Sequence, residues 1–154
     1  MKKMRILGVV LVLIGALLVL MIWKNLTVPK TTGLSRGMLQ PCPKSPNCVQ
    51  SCLKSDEEHA IAPLPYRSDQ TLSQIEEFLK KTYIATVMEK TETYMHVVVT
   101  TPLCRFRDDL EFLVVKEKGE VCVRSASRVG YGDGGVNRAR IENIRKYIQT
   151  LSNQ

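Results

Sequence analysis

From Ile6 to Trp23 the chain reads ILGVVLVLIGALLVLMIW, 18 residues without one polar side chain. At about 1.5 Å rise per residue this is roughly 27 Å of helix, close to the ~30 Å hydrocarbon core of a bilayer. A helix in a protein core would leave one face polar, and this run leaves none, so residues 1–23 are expected to form a membrane segment. A cleavable signal has a shorter apolar stretch followed by a small-x-small site. Here the run ends in Met21, Ile22 and Trp23 with Lys24 behind, which favours an uncleaved anchor. Lys2, Lys3 and Arg5 place the N-terminus in the cytoplasm by the positive-inside rule, although Lys24 and Lys30 lessen the contrast. The remainder is then expected on the periplasmic side of a bacterial inner membrane.

Beyond the anchor the pattern changes. Residues 24–38 are polar and hold Pro29, Thr31, Thr32, Gly33, Ser35 and Gly37, the composition of a tether. Residues 39–151 read as one exported domain. Its first part, Pro41-Cys42-Pro43-Lys44-Ser45-Pro46-Asn47-Cys48, carries three prolines, which fix φ and remove donors, so neither a helix nor a central strand is possible. A pinned, extended loop closed by Cys42–Cys48 fits it. His59–Tyr66, with Pro63 and Pro65, reads as irregular or as an edge strand.

Leu72, Ile75, Phe78 and Leu79 recur at helical spacing and predict a helix over Thr71–Thr82, with Thr71 and Gln74 as its capping box. Four runs rich in Val, Thr, Tyr and Phe follow: Tyr83–Lys90, Tyr94–Thr101, Leu110–Lys116 and Glu120–Ala126. Ile141, Ile144, Ile148 and Leu151 then share one stripe of a final helix over Val136–Leu151. The predicted class is α+β: an N-terminal transmembrane helix, then a four-stranded antiparallel meander with two helices on one face.

The formal charge of +7 suggests nucleic acid until it is located. Five of the 22 basic groups lie in the first 30 residues, where there are no acids, so the remainder sets 17 basic groups against 15 acidic ones. A nearly neutral domain argues against a nucleic-acid partner. Five cysteines (Cys42, Cys48, Cys52, Cys104, Cys122) in an oxidising compartment predict at least one disulfide and at least one leftover thiol. No Cys-x-x-Cys pair is present and only His59 and His96 could assist, so no metal or other cofactor is assigned.

Two features carry candidate chemistry. If Lys118-Gly119 is a two-residue turn, Asp109 lies opposite Arg128 and Glu111 lies diagonal to Arg124; a bulge at Gly119 would move this register by one. Such a lattice either fixes strand register or makes a polar site at the sheet end. Next, a glycine-rich turn from Gly130 to Gly135 feeds a helix N-terminus, with Arg124 and Arg128 before it and Arg138 and Arg140 after. Free backbone N–H groups and arginine forks suit a phosphate or carboxylate. The candidate anion-binding residues are therefore Asp109, Arg124, Ser125, Ser127, Arg128, Asp133, Asn137 and Arg138. The alternative is a tight corner in which Asp133 or Asn137 caps the helix. No catalytic residue is assigned: Cys48 with His96, or Ser125 with a distant His, can be drawn as dyads, but nothing brings them together. Asp108 and Asp109, adjacent on a strand, point to opposite faces.

Three blocks, Cys42-Pro43-Lys44-Ser45-Pro46-Asn47-Cys48-Val49, Phe106-Arg107-Asp108-Asp109-Leu110-Glu111-Phe112, and Arg124–Asp133 running into Val136-Asn137-Arg138, together resemble the bacterial and plastid family catalogued as domain of unknown function 1499. The resemblance spans about residues 39–151 and implies an envelope-associated protein, with no activity attached. Cys52 and Cys104 depart from the family pattern, and Gly134 stands where a larger apolar residue is expected. The expected function is a non-enzymatic envelope module that holds an anionic group, a lipid headgroup or a cell-wall carboxylate, near Arg124, Arg128 and Arg138. The alternatives are a hydrolase or transferase on an envelope lipid or glycan, using Asp109 or Asp133 in acid–base work, and an assembly factor for another membrane protein.

Overall fold

The computed structural model describes residues 2–54 and 57–151; Met1 of the expected anchor segment lies outside them. Helix α1 (Lys2–Leu26) is apolar all round, and none of its side chains is buried. A helix with no protein face to bury against is what the uninterrupted apolar run dictates, and its length and composition allow it to cross a membrane.

The domain begins with a two-stranded hairpin, β1 (Leu34–Ser35) and β2 (Met38–Leu39). Two short strands follow, β3 (Cys48–Gln50) and β4 (Leu64–Pro65), then helix α2 (Thr71–Thr82). The four long strands are β5 (Ile84–Lys90), β6 (Tyr94–Thr100), β7 (Arg107–Val115) and β8 (Glu120–Ser127), and helix α3 (Val136–Leu151) closes the fold. Strands β5 to β8 form the expected antiparallel meander, but the sheet does not stop at four. Both β3 and β4 pair with the free edge of β8, one after the other, giving six strands in the order β3-β8-β7-β6-β5 with β4 beside β8. With β1 and β2 the described residues form eight strands in two sheets and three helices. The extra strands carry two or three residues each, too few for an alternation to show in sequence, and Pro65 is tolerated because β4 is an edge.

The core lies between one sheet face and the two domain helices. Met95, Val97, Val99, Leu110, Phe112, Val121 and Val123 face Leu72, Ile75 and Leu79 of α2 and Ile141, Ile144 and Ile148 of α3. Helix α2 starts at Thr71 as predicted, but the capping box does not form. Gln70 precedes it in helical conformation, and the Thr71 hydroxyl instead accepts the N–H groups of Arg67 and Ser68 at 3.0 and 3.1 Å.

Two disulfides fasten the edge formed by β3 and β4. Cys42–Cys48 closes the proline-rich loop as expected, and Cys52–Cys122 ties the segment after β3 to the middle of β8. Cys104 is the free, exposed thiol.

Candidate functional site

Strands β7 and β8 are joined by four residues. A 3-10 turn at Lys116–Lys118 runs into Gly119, whose φ of 64° suits glycine in the left-handed region. Val115 therefore pairs with Glu120, Glu111 lies directly opposite Arg124, and Asp109 lies opposite Ala126. The expected pairing of Asp109 with Arg128 was two positions off, not one. Because the offset is even, every side chain stays on its predicted face: Glu111 and Arg124 become directly opposed, and Asp109 reaches Arg128 diagonally.

On the face away from the core these residues form a buried ionic cluster. Arg124 donates from Nη1 to Glu111 Oε2 at 2.9 Å. Glu111 Oε1 also accepts the Tyr94 hydroxyl at 2.9 Å and the Gly33 N–H at 2.6 Å. One turn of the pleat away, Arg128 grips Asp109 with two parallel bonds of 2.8 Å, and His96 Nε2 sits 2.8 Å from Asp109 Oδ1. Burial alone would push the Asp109 carboxyl up, but Arg128 and His96 outweigh it and hold it below the ordinary carboxylate range. Burial, with Glu111 beside it, pushes the Tyr94 phenol up.

What covers this face is the segment expected as a tether. Arg128 Nη1 donates to the carbonyls of Asn25 and Leu26 at 3.2 Å each, supplying a cation to the unpaired carbonyls at the end of α1. The Asn25 side chain bonds the Arg105 carbonyl and the Arg107 N–H, both at 2.9 Å. Thr31 lies 3.5 Å from Arg124 Nη2. Residues 25–33 thus form a strap across the sheet. Between the strap, the proline-rich loop and β8 lies a cavity of about 180 Å³ whose lining includes Lys24, Ser45, Asn47, Asp109, Arg124 and Arg128. Arg124 is 2 % exposed, and its Nε has no hydrogen-bond partner among the described residues.

The remaining expected site residues lie elsewhere, because alternation along β8 sends Ser125 and Ser127 to the core face. There Asn137, at the start of α3, organises a second polar cluster. It accepts the Ser125 hydroxyl at 2.5 Å and donates to Ser127 Oγ at 2.9 Å and Asp133 Oδ2 at 2.7 Å. Asp108, on the opposite face from Asp109 as expected, pairs with Arg140 at 2.6 Å. Asp133 accepts the N–H groups of Gly135 and Asn137 at 2.9 and 2.8 Å. The glycine-rich corner therefore fills its own donors: the anion at the start of α3 is the side chain of Asp133. Arg138 joins neither cluster and spends its guanidinium on the carbonyls of Glu58 and Ala60. Of the drawn dyads, Cys48 is bridged to Cys42 and Ser125 is bonded to Asn137.

Sequence reasoning thus placed Asp109, Arg124 and Arg128 together and missed Lys24, Tyr94 and the strap. Glu111 was visible as the residue two positions from Asp109 on the same face. For the strap only Gly33 and Gly37, which break the chain's direction, gave any signal.

The family model described as Protein of unknown function (DUF1499) matches residues 38–148, and the chain belongs to that family. No curated protein and no solved structure matches the chain. The match takes in both polar clusters and begins after the strap.

Proposed function

We propose that this family member is a single-pass protein of a bacterial inner membrane whose periplasmic domain binds, without catalysing a reaction, the phosphate of an anionic lipid headgroup. The carrying observation is the cavity under the strap, whose lining brings together Lys24, Arg124 and Arg128, with an Arg124 Nε that has no partner among the described residues. A buried guanidinium N–H without an acceptor is costly, and an oxyanion supplies the acceptor. Position favours a headgroup over a free ion. Lys24 directly follows the apolar run that ends at Trp23, so a helix that spans the bilayer holds this cavity at headgroup level. The two disulfides fit an oxidising compartment. Acid–base work by Asp109 or Asp133 draws no support, since the first is locked by Arg128 and His96 and the second caps α3.

The test uses the full-length protein in mild detergent. Native mass spectrometry should show a retained phospholipid. Melting should rise with phosphatidylglycerol more than with phosphatidylcholine, inorganic phosphate or cell-wall fragments. Lys24→Gln, at an exposed position, should weaken that gain and leave the ligand-free melting point unchanged. A protein that retains no lipid and gains nothing from any anion would end the proposal. A mature N-terminus near residues 25–30 would end the anchor reading, and a stoichiometric protein in place of lipid would favour an assembly factor.

A further inference from the structure

The two ends of the large sheet differ in character. At one end are the turns after β5 and β7, which carry Lys90, Glu92, Lys116, Glu117 and Lys118. At the other, the β6–β7 loop Thr101–Phe106 has one charge, Arg105, and presents Leu103 at 92 % exposure. Phe106 on the same loop is also exposed, as are Tyr131 and Val136 on the neighbouring corner and Ile84 at the start of β5. The loop and the corner lie side by side: Arg128 N–H donates to the Arg107 carbonyl at 3.0 Å, and Phe106, Val129 and Val136 line a shared cavity of about 160 Å³. Beyond α1 and the strap, the other exposed large apolar side chains among the described residues are Leu34, Met38 and Met88. Exposed apolar surface in the domain is therefore gathered mainly at one end.

That end is where α1 joins the domain. Asn25, two residues after Trp23, is bonded to Arg105 and Arg107 at the base of the β6–β7 loop. The loop is closed by the Thr101 N–H donating to the Phe106 carbonyl at 2.8 Å and the Phe106 N–H donating to Thr101 Oγ1 at 2.9 Å, so Leu103 stands at its tip. The base is bonded to the last turn of the helix, so the tip stands at the sheet end from which α1 leaves the domain. Aromatic and aliphatic side chains with a cation among them suit the boundary of headgroups and acyl chains.

We propose that the β6–β7 loop, with Tyr131 beside it, is a membrane-docking tip: Leu103 and Phe106 enter the leaflet from which α1 emerges, and Arg105 meets its phosphates. The partner is the phospholipid surface itself. The inference rests on α1 remaining in the membrane, and not on the cavity beneath the strap.

Cys104 supplies the probe, being the free thiol and sitting next to Leu103. Full-length protein labelled there with an environment-sensitive NBD fluorophore is reconstituted into phosphatidylcholine vesicles containing phosphatidylglycerol. Emission should shift to the blue and be quenched by doxyl groups placed high on the acyl chain more than by deep ones. The same label on Glu117→Cys in a Cys104→Ser background, at the opposite sheet end, should report water and escape quenching. Leu103→Asp should reduce the quenching at Cys104 and leave the melting point unchanged. It should also leave headgroup stabilisation intact, so this proposal and the cavity proposal fail separately. Intact mass read on the same sample confirms that α1 is retained. If the Cys104 label behaves like the Glu117→Cys label, the tip does not dock. A blue shift that doxyl lipids do not quench would mean a protein covers the tip, which also overturns the inference.

Discussion

Replacing Arg124 with methionine keeps most of the side-chain volume and removes the charge from a residue 2 % exposed. Glu111, at 0 % exposure, then loses its one cationic partner among the described residues and keeps the Tyr94 hydroxyl and the Gly33 N–H. Breaking a buried pair from one side costs about 3–5 kcal/mol, because the survivor is a buried charge. Against a total stability of about 5–15 kcal/mol this is a large fraction. One signature separates this account from general damage. Adding Glu111→Gln to Arg124→Met should recover about 2 kcal/mol or more, because a neutral amide needs no counter-charge. The assay is denaturant unfolding of the full-length protein in detergent, followed by circular dichroism. A single variant losing under about 1 kcal/mol, or a double variant no better than the single one, would refute the reasoning.

Three further outcomes follow from the same geometry. Removing Cys52–Cys122, whose residues lie 70 apart, should cost about 4 kcal/mol, and removing Cys42–Cys48, 6 apart, about 2 kcal/mol, read as paired Cys→Ala variants in the same unfolding assay. Asp109 is held below its ordinary range in the folded state, so its contribution is complete above the unfolded value of about 3.9 and is lost as pH falls through the folded value; Asp109→Asn should lower stability at neutral pH and flatten that acid limb. Asp133→Ala should cost about 1 kcal/mol by freeing the N–H groups of Gly135 and Asn137, with no change in lipid retention by native mass spectrometry.

What sequence could and could not reveal divides along a physical line. Period-based features were legible: α2, α3 and the four long strands come from stripes of Ile, Leu and Val that only one conformation buries. The ion pairs were legible in part, because alternation fixes the face of Asp109, Glu111, Arg124 and Arg128 whatever the register. The register itself was not, since it depends on whether Gly119 ends a two-residue turn or, as it does, a longer 3-10 turn. The pairing of β3 and β4 with β8 was not legible either: backbone bonds made by two or three residues leave no pattern in side chains. At the glycine-rich corner the structure puts a side chain where the anion was expected. Asp133 lies within hydrogen-bond reach of the very N–H groups that a ligand would need, and a tethered carboxylate outcompetes a free one. The strap was hidden because half of its bonds to the sheet use two carbonyls and one N–H, which every sequence has, and the rest use the side chains of Asn25 and Thr31, residue types that a loose tether also carries.

The strap gives the ionic cluster a role that stability alone does not. A buried salt bridge is often no better than a well-packed apolar pair, so four charged groups under residues 25–33 are poorly explained as a source of folding energy. Their contacts suggest specificity. Glu111 accepts the Gly33 N–H, and Arg128, held from behind by Asp109, donates to the two carbonyls at the end of α1. An apolar sheet face would hold an apolar segment in many positions, whereas these directional bonds hold this strap in one. The consequence is geometric. A loose tether would let the domain turn freely above the bilayer, and neither the cavity nor the Leu103 loop would have a fixed relation to the membrane. If α1 spans the bilayer, its clamp to the end of β8 would set the cavity at headgroup level and turn the apolar sheet end to the leaflet, the orientation on which both proposals depend.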